Sequence, residues 1–120
     1  QEFYLGNFTH PHCNITLSRI TKRNGFGETI LQRAAADGDA DLVRNLIKAG
    51  ASVNDQDYAG WTALHEASLE GHYGIANELL KAGADANARG CEQMTPLQDA
   101  VKKGHYEVYS SLDISYGLGI

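Results

Sequence analysis

The stretch that decides the fold is Gly60-Trp61-Thr62-Ala63-Leu64-His65, because the same pattern occurs on both sides of it. Its counterparts are Gly27-Glu28-Thr29-Ile30-Leu31-Gln32 and Gln93-Met94-Thr95-Pro96-Leu97-Gln98, each displaced by one constant interval of about 33 residues. A glycine column and a leucine column keep the same interval: Gly38, Gly71 and Gly104, then Leu46, Leu79 and Leu112. Because all three columns align without a gap, the sequence predicts an array of equal structural units.

Each unit is predicted to form two helices joined by a turn. The threonine of the repeated stretch can accept hydrogen bonds from unpaired backbone N–H groups and so cap the first helix, and Pro96 suits a first helical turn. Gly38 and its equivalents suit the left-handed conformation that ends a helix. The second helix carries apolar residues along one face. In the first unit these residues are Leu42, Val43, Leu46 and Ile47.

Several of these pieces resemble the ankyrin repeat. They are Thr95-Pro96-Leu97, Thr62-Ala63-Leu64-His65, Gly50–Asn54 and Gly83–Asn87, and the constant repeat interval agrees with that family. The resemblance implies an all-α fold, an ankyrin-repeat solenoid of about three helix–turn–helix repeats with β-turn or hairpin loops. It also implies that His65 hydrogen-bonds the backbone of a neighbouring turn, and that Gln32 and Gln98 can partly replace it.

The repeats divide the chain into two parts. We expect residues 1–21 to form a non-repeat linker and residues 22–120 to hold repeats at about 24–56, 57–89 and 90–120. The last repeat is degenerate, because Tyr109 and Asp113 stand where the earlier units have apolar residues. Either this repeat is a polar terminal cap or its native continuation is missing. The sequence is expected to be part of a longer protein.

Composition and charge exclude several classes of function. The chain has 120 residues and a net charge of −5, so a nucleic-acid backbone is a poor partner and a basic protein segment a better one. Two cysteines, Cys13 and Cys91, make no disulfide framework. No apolar run approaches the ~18 residues that span a bilayer. We expect no membrane association and an intracellular location.

No arrangement of side chains indicates catalysis or a cofactor. His65-Glu66 begins like a zinc-protease helix, but Leu69 occupies the place of the second histidine. His10, His12 and Cys13 lack the second ligand cluster that a tetrahedral zinc site needs. Cys91 has no base partner in its sequence environment. The sequence therefore predicts no enzyme, no metal and no cofactor.

A partner is expected on the concave face, which the turn tips and one side of the first helix of each unit would form. The middle of this face is acidic and aromatic, and Trp61 is the single tryptophan of the chain. Alternatively, Trp61 only packs over the adjacent turn and the carboxylates are a solvated surface. The candidate partner-binding residues are Asp55, Asp57, Tyr58, Trp61, Glu66, Leu69, Glu70, Met94, Asp99, Lys102 and Lys103.

A narrower resemblance concerns Lys22-Arg23-Asn24 and Asp57-Tyr58-Ala59-Gly60-Trp61-Thr62, which are similar to a subset of nuclear ankyrin proteins. The subset includes the Tonsoku-like, BRCA-associated RING partner and BCOR types. Tyr58–Ser68 and Thr95–Tyr106 are also similar to the family of ankyrin repeat domain-containing protein 31. In the first two types the matching residues form a pocket for a histone-tail lysine, which implies that role for Asp57, Trp61, Glu66 and Asp99.

This sequence departs from those histone readers at the same face. Leu69 and Glu70 stand where the readers place a polar asparagine and its neighbour, and Lys102 and Lys103 add cations beside Asp99. The prediction is therefore a protein-interaction scaffold in a nuclear, chromosome-associated assembly, which binds a basic or mixed-charge segment. A structural spacer or oligomerisation module and a histone-tail lysine reader are the alternatives.

Overall fold

The structure, a computed structural model, describes residues 17–108, 110 and 112. Expectations for residues 1–16, Tyr109 and Asp113 lie outside the described residues, and these include the histidine and cysteine cluster near the N-terminus. The described helices are α1 (Leu17–Thr21), α2 (Ile30–Asp37), α3 (Ala40–Lys48), α4 (Ala63–Glu70), α5 (Tyr73–Lys81) and α6 (Pro96–Lys103), with a short 3₁₀ helix at Cys91–Gln93. Residues 106–108 are again helical. The part of the chain that the structure describes contains no strand.

The helices form a layered solenoid that matches the predicted all-α architecture. Helices α2, α4 and α6 form an inner row in which α4 packs between the other two, and α3 and α5 pack behind them as an outer row. Each inner helix is followed at once by its outer partner, so one inner and one outer helix make one repeat. This order is the one that the repeat interval predicts.

The ends of the inner helices confirm the predicted caps. Thr29, Thr62 and Thr95 each accept a hydrogen bond from the backbone N–H three residues later, and the side chain of that later residue bonds the threonine N–H in return. The closing glycines have left-handed backbone angles, with φ of 81° at Gly38 and 75° at Gly104. Identical ends give the three inner helices equal length and place their first turns side by side.

The core lies between the two rows of helices and is made of small and branched aliphatic side chains. Small residues of the inner helices, among them Ala35 and Ala67, are fully buried and allow close approach between neighbouring repeats. The outer row contributes the predicted leucine column, Leu46, Leu79 and Leu112, together with Val43 and Val108. Burial of Val108 and Leu112 shows that the third repeat continues this core.

Helix α1 lies within the segment that the sequence analysis assigns to a linker. It packs against α2, and its Ile20 is buried in the same core as the repeats. At least the end of that segment therefore contributes to the packed array. No helix among residues 17–108 combines the length and apolar character needed to cross a membrane.

Candidate functional site

Two side chains hold the turns of successive repeats in register. Nδ1 of His65 accepts from the N–H of Thr62, so Nε2 carries the proton and donates to the carbonyl oxygen of Met94 at 2.8 Å. Gln32 does the same one repeat earlier, because its side-chain amide donates to the carbonyl oxygen of Trp61 at 2.7 Å. The expectation for His65 and Gln32 is thus confirmed, and the turns on either side of the site are fixed.

Trp61 is placed by the turn in front of α4. One carboxylate oxygen of Asp57 accepts from the N–H groups of Ala59 and Trp61, at 3.0 and 2.9 Å. The indole ring meets the imidazole of His65 edge-on, with centroids 5.0 Å apart, and it lies close over Gly90. One part of the ring therefore packs over the neighbouring turn, while Trp61 also lines two cavities.

The inner cavity, of about 110 Å³, lies between the second and third repeats. Its walls are Trp61, His65, Glu66, Leu69 and Asp99. Asp99 is only 4% exposed, and its Oδ2 atom is buried without a hydrogen-bond partner. Burial raises the pKa of Asp99 to about 6, an effect that the charge of Lys102 partly offsets. One wall of the cavity is thus a residue whose carboxylate has a buried oxygen with unused hydrogen-bonding capacity.

The outer cavity, of about 510 Å³, lies on the other side of Trp61. Glu28, Asp57 and Glu66 each bring a carboxylate oxygen to it, and the three oxygens lie within 4.8 Å of one another. Burial, with the charges of Glu28 and Asp57, raises the pKa of Glu66 to about 7. Phe26 and Tyr58 form its aromatic rim, and each is 75% exposed. We call the two cavities together the acidic cleft.

The cleft brings together six of the eleven predicted partner-binding residues. The outer cavity contains Asp57, Tyr58, Trp61 and Glu66, and the inner cavity adds Leu69 and Asp99. The other five line neither cavity, and they are Asp55, Glu70, Met94, Lys102 and Lys103.

For three of those five residues, the contacts of the residue account for its position outside the cleft. A carboxylate oxygen of Asp55 lies 3.6 Å from the guanidinium of Arg23. Met94 contributes its backbone carbonyl oxygen, which is hydrogen-bonded to His65. Lys102 is exposed and makes no ion pair with Asp99 among the described residues. Lys102 therefore does not occupy the Asp99 carboxylate in an ion pair.

Four residues that line the outer cavity were not predicted from the sequence: Gly25, Phe26, Glu28 and Ala59. Phe26 and Glu28 belong to the turn of the first repeat, whereas the predicted acidic and aromatic cluster centres on the second. The repeat interval could have found Glu28, because it stands one full interval before Trp61 and so occupies the same column. No comparable signal marks Phe26.

Comparisons with known proteins agree with this architecture. The model of the family described as "Ankyrin repeats (3 copies)" matches residues 5–90, well over half of the chain. Ankyrin repeat domain-containing protein 31 of Homo sapiens is 57% identical over 47 residues, which are 39% of this chain and 2% of that protein. The Mus musculus protein of the same name is 54% identical over 55 residues, which are 46% of this chain and 3% of that protein.

The Tonsoku-like protein of Drosophila melanogaster is 48% identical over 42 residues, 35% of this chain and 3% of that protein. The chain therefore spans only a few per cent of the length of these relatives. Ankyrin repeats generally mediate protein–protein interactions and are typically not enzymes. The caps, the constant repeat interval and the family match lead to one conclusion: the chain belongs to the ankyrin-repeat family.

Proposed function

We propose that the chain binds a basic or mixed-charge protein segment along its concave face, with a lysine side chain of that segment in the inner cavity. The observation that carries this proposal is Asp99, which lines a cavity together with Glu66 and Trp61 and whose Oδ2 atom is buried and unpartnered. A buried carboxylate oxygen without a partner costs free energy, and a cationic donor removes that cost.

Lysine suits the inner cavity better than arginine does. Its charge is compact and sits on a slender aliphatic stem, whereas a guanidinium is planar and broad. Leu69 and the indole of Trp61 offer apolar surface to such a stem, and an ammonium can lie against the indole face. Glu66 lines both cavities, so it can contribute to the charge that attracts the segment from either side.

The test is a titration of short lysine-containing peptides followed by Trp61 fluorescence, since the single tryptophan lies in the cleft. We expect Asp99→Asn and Glu66→Gln each to weaken binding at least about tenfold. Glu70→Gln is the matched control, because it removes one negative charge from exposed α4 surface outside both cavities. If all three variants bind like the parent, or all three lose the same small amount, the lysine site is rejected.

A histone tail is the specific source of lysine that the nuclear resemblance favours, and a nuclear, chromosome-associated role is part of this proposal. The similarity to the Tonsoku-like protein supports it, while Leu69 departs from the residue expected in such readers. Histone-tail peptides and unrelated peptides of equal charge separate the two cases. A response to one tail that the charge-matched peptides lack supports a histone reader, and equal responses support a general basic-segment binder.

A structural spacer or oligomerisation module is the competing function. It would use the convex side, where Arg44 and Lys48 are exposed on α3. Substitution of both Arg44 and Lys48 by glutamate should leave peptide binding unchanged if the acidic cleft is the binding surface. A loss of partner capture that follows these two residues and not Asp99 would favour the spacer.

A further inference from the structure

A further surface cavity, of about 280 Å³, lies where α1 meets the start of α2, and its charge is opposite to that of the acidic cleft. Four basic side chains line it: Arg19, Lys22, Arg23 and Arg33. The whole chain has ten lysines and arginines and a net charge of −5, so this is a strong local concentration of positive charge. We call this cavity the basic groove.

The basic groove has a fixed frame, and part of its positive charge is already paired: Arg23 lies 3.6 Å from Asp55, and Arg33 pairs with Glu28 and Asp37. Arg23 is held by the carbonyl oxygens of Gly27 and Gln56, at 2.6 and 2.9 Å, so its guanidinium is positioned before any partner arrives. Lys22 makes no ion pair within the described residues. Half-buried Ile30 supplies an apolar wall. Lys22, beside this preorganised guanidinium, is a groove cation with which the carboxylate of a partner can pair.

Glu28 joins the two surfaces. It lines the basic groove and the outer cavity of the acidic cleft, and it lies 3.8 Å from the guanidinium of Arg33. The sign of the surface charge therefore reverses across one residue. A single extended segment that follows the concave face would meet basic residues over the first repeat and acidic residues over the second and third.

We propose that the basic groove docks an acidic portion of the same protein segment whose basic portion fills the acidic cleft; this inference rests on the proposed function. The partner is then a segment with two blocks of opposite charge rather than a uniformly basic one. Charge complementarity on both sides of Glu28 would fix the direction in which the segment lies and would disfavour purely basic competitors.

Other occupants of the basic groove fit the observations less well. A nucleic-acid backbone that filled the groove would continue towards Asp57 and Glu66, which would repel it. The residues of this chain that precede α1 contain a single carboxylate, Glu2, and so complement the groove poorly. An acidic protein segment is the occupant that the charges favour.

The experiment compares three peptides of equal length: one basic, one acidic, and one that joins the acidic and basic blocks, prepared in both orders. Titrations use the full chain and follow Trp61 fluorescence or the anisotropy of labelled peptide. We expect one order of the joined peptide to bind at least about tenfold more tightly than the basic peptide, because the second contact becomes intramolecular.

Lys22→Glu should abolish this gain without weakening the basic peptide, and Lys48→Glu, an exposed lysine on the outer helix α3, should have no effect on either. If the joined peptide gains nothing while the basic peptide still binds in an Asp99-dependent way, this inference is wrong and the proposed function stands. If the basic peptide gives no response at all, the proposed function fails. Tighter binding of duplex DNA than of the acidic peptide, lost in Lys22→Glu, would also overturn the inference.

Discussion

The imidazole of His65 joins its own repeat to the next, because Nε2 lies 2.8 Å from the carbonyl oxygen of Met94. Met94 occupies the position in the third repeat that Trp61 occupies in the second. The pair therefore sets the spacing between two turns, and Trp61, Glu66 and Asp99 converge on one cavity as a consequence.

Replacement of His65 tests this bridge. His65→Ala leaves the Met94 carbonyl and the Thr62 cap without their partners, so we expect a loss of about 2–4 kcal/mol in the free energy of unfolding. His65→Gln should retain most of the stability, because Gln32 makes the equivalent contact to Trp61. Urea unfolding followed by circular dichroism measures both. Equal losses for the two variants would contradict the bridging role.

Gly90 tests the placement of Trp61. A Cβ atom on Gly90 would lie 2.6 Å from Cε3 of Trp61, and the φ of Gly90, −95°, lies outside the left-handed region that favours glycine. Gly90→Ala should therefore displace the indole and weaken peptide binding about tenfold or more, with a changed Trp61 emission spectrum. The matched control is Gly74→Ala in α5, where a Cβ meets nothing within 4 Å. That variant should bind normally and gain roughly 0.5–1 kcal/mol.

Asp99 should make stability depend on pH. Its folded-state pKa of about 6 is higher than the ordinary value of 3.8, so the ionised form penalises the folded state above pH 6. Asp99→Asn should consequently stabilise the chain by about 1–3 kcal/mol at pH 8. This advantage should shrink as the pH falls through 6, where Asp99 takes up a proton. Thermal or urea unfolding of both proteins at pH 8 and pH 5 measures it.

The same comparison separates the pH dependence of stability that Asp99 causes from the one that His65 causes. Burial lowers the pKa of His65, so its protonation destabilises the fold as the pH falls below 6.5. Both proteins share that loss, and their difference isolates Asp99. A difference that stays constant from pH 8 to pH 5 would contradict the assigned titration.

Peptide affinity should also depend on pH. The pKa of Glu66 is about 7 and that of Asp99 about 6, so both carboxylates lose their charge between pH 8 and pH 5.5. A lysine peptide without histidine keeps its charge over this range, and its affinity should fall at least about tenfold. The measurement is a fluorescence titration at constant ionic strength. The double variant Glu66→Gln/Asp99→Asn should bind weakly with a nearly flat profile, and a profile as steep as the parent's would count against this account.

The helical array follows from the sequence because its signals are local and repeated three times. Thr29, Gly38 and Pro96 each occupy a position whose backbone geometry admits few residue types, so they predict helix ends directly. The convergence of Glu66 and Asp99 also follows, since they stand one repeat interval apart in the same column. The placement of Trp61 beside that column comes from the turn.

Burial at the site could not be predicted in the same way. Asp99 and Lys102 are both expected on one side of α6, yet Asp99 is buried and Lys102 is exposed. The difference depends on how α4 packs against α6, which is a tertiary relationship. The contribution of Glu28 to the outer cavity likewise depends on how the turn of the first repeat is placed beside the turn of the second.

The acidic cleft takes Glu28 from the first repeat, Trp61 from the second and Asp99 from the third. In a linear array each repeat is supported only by its neighbours, so the ends open more readily than the middle. A segment bound across all three repeats would stabilise both ends of the array, because it loses its own contacts whenever either end opens. Occupancy should therefore slow amide hydrogen exchange in α2 and α6 more than in α4, and the partner would engage only chains in which the whole array is folded.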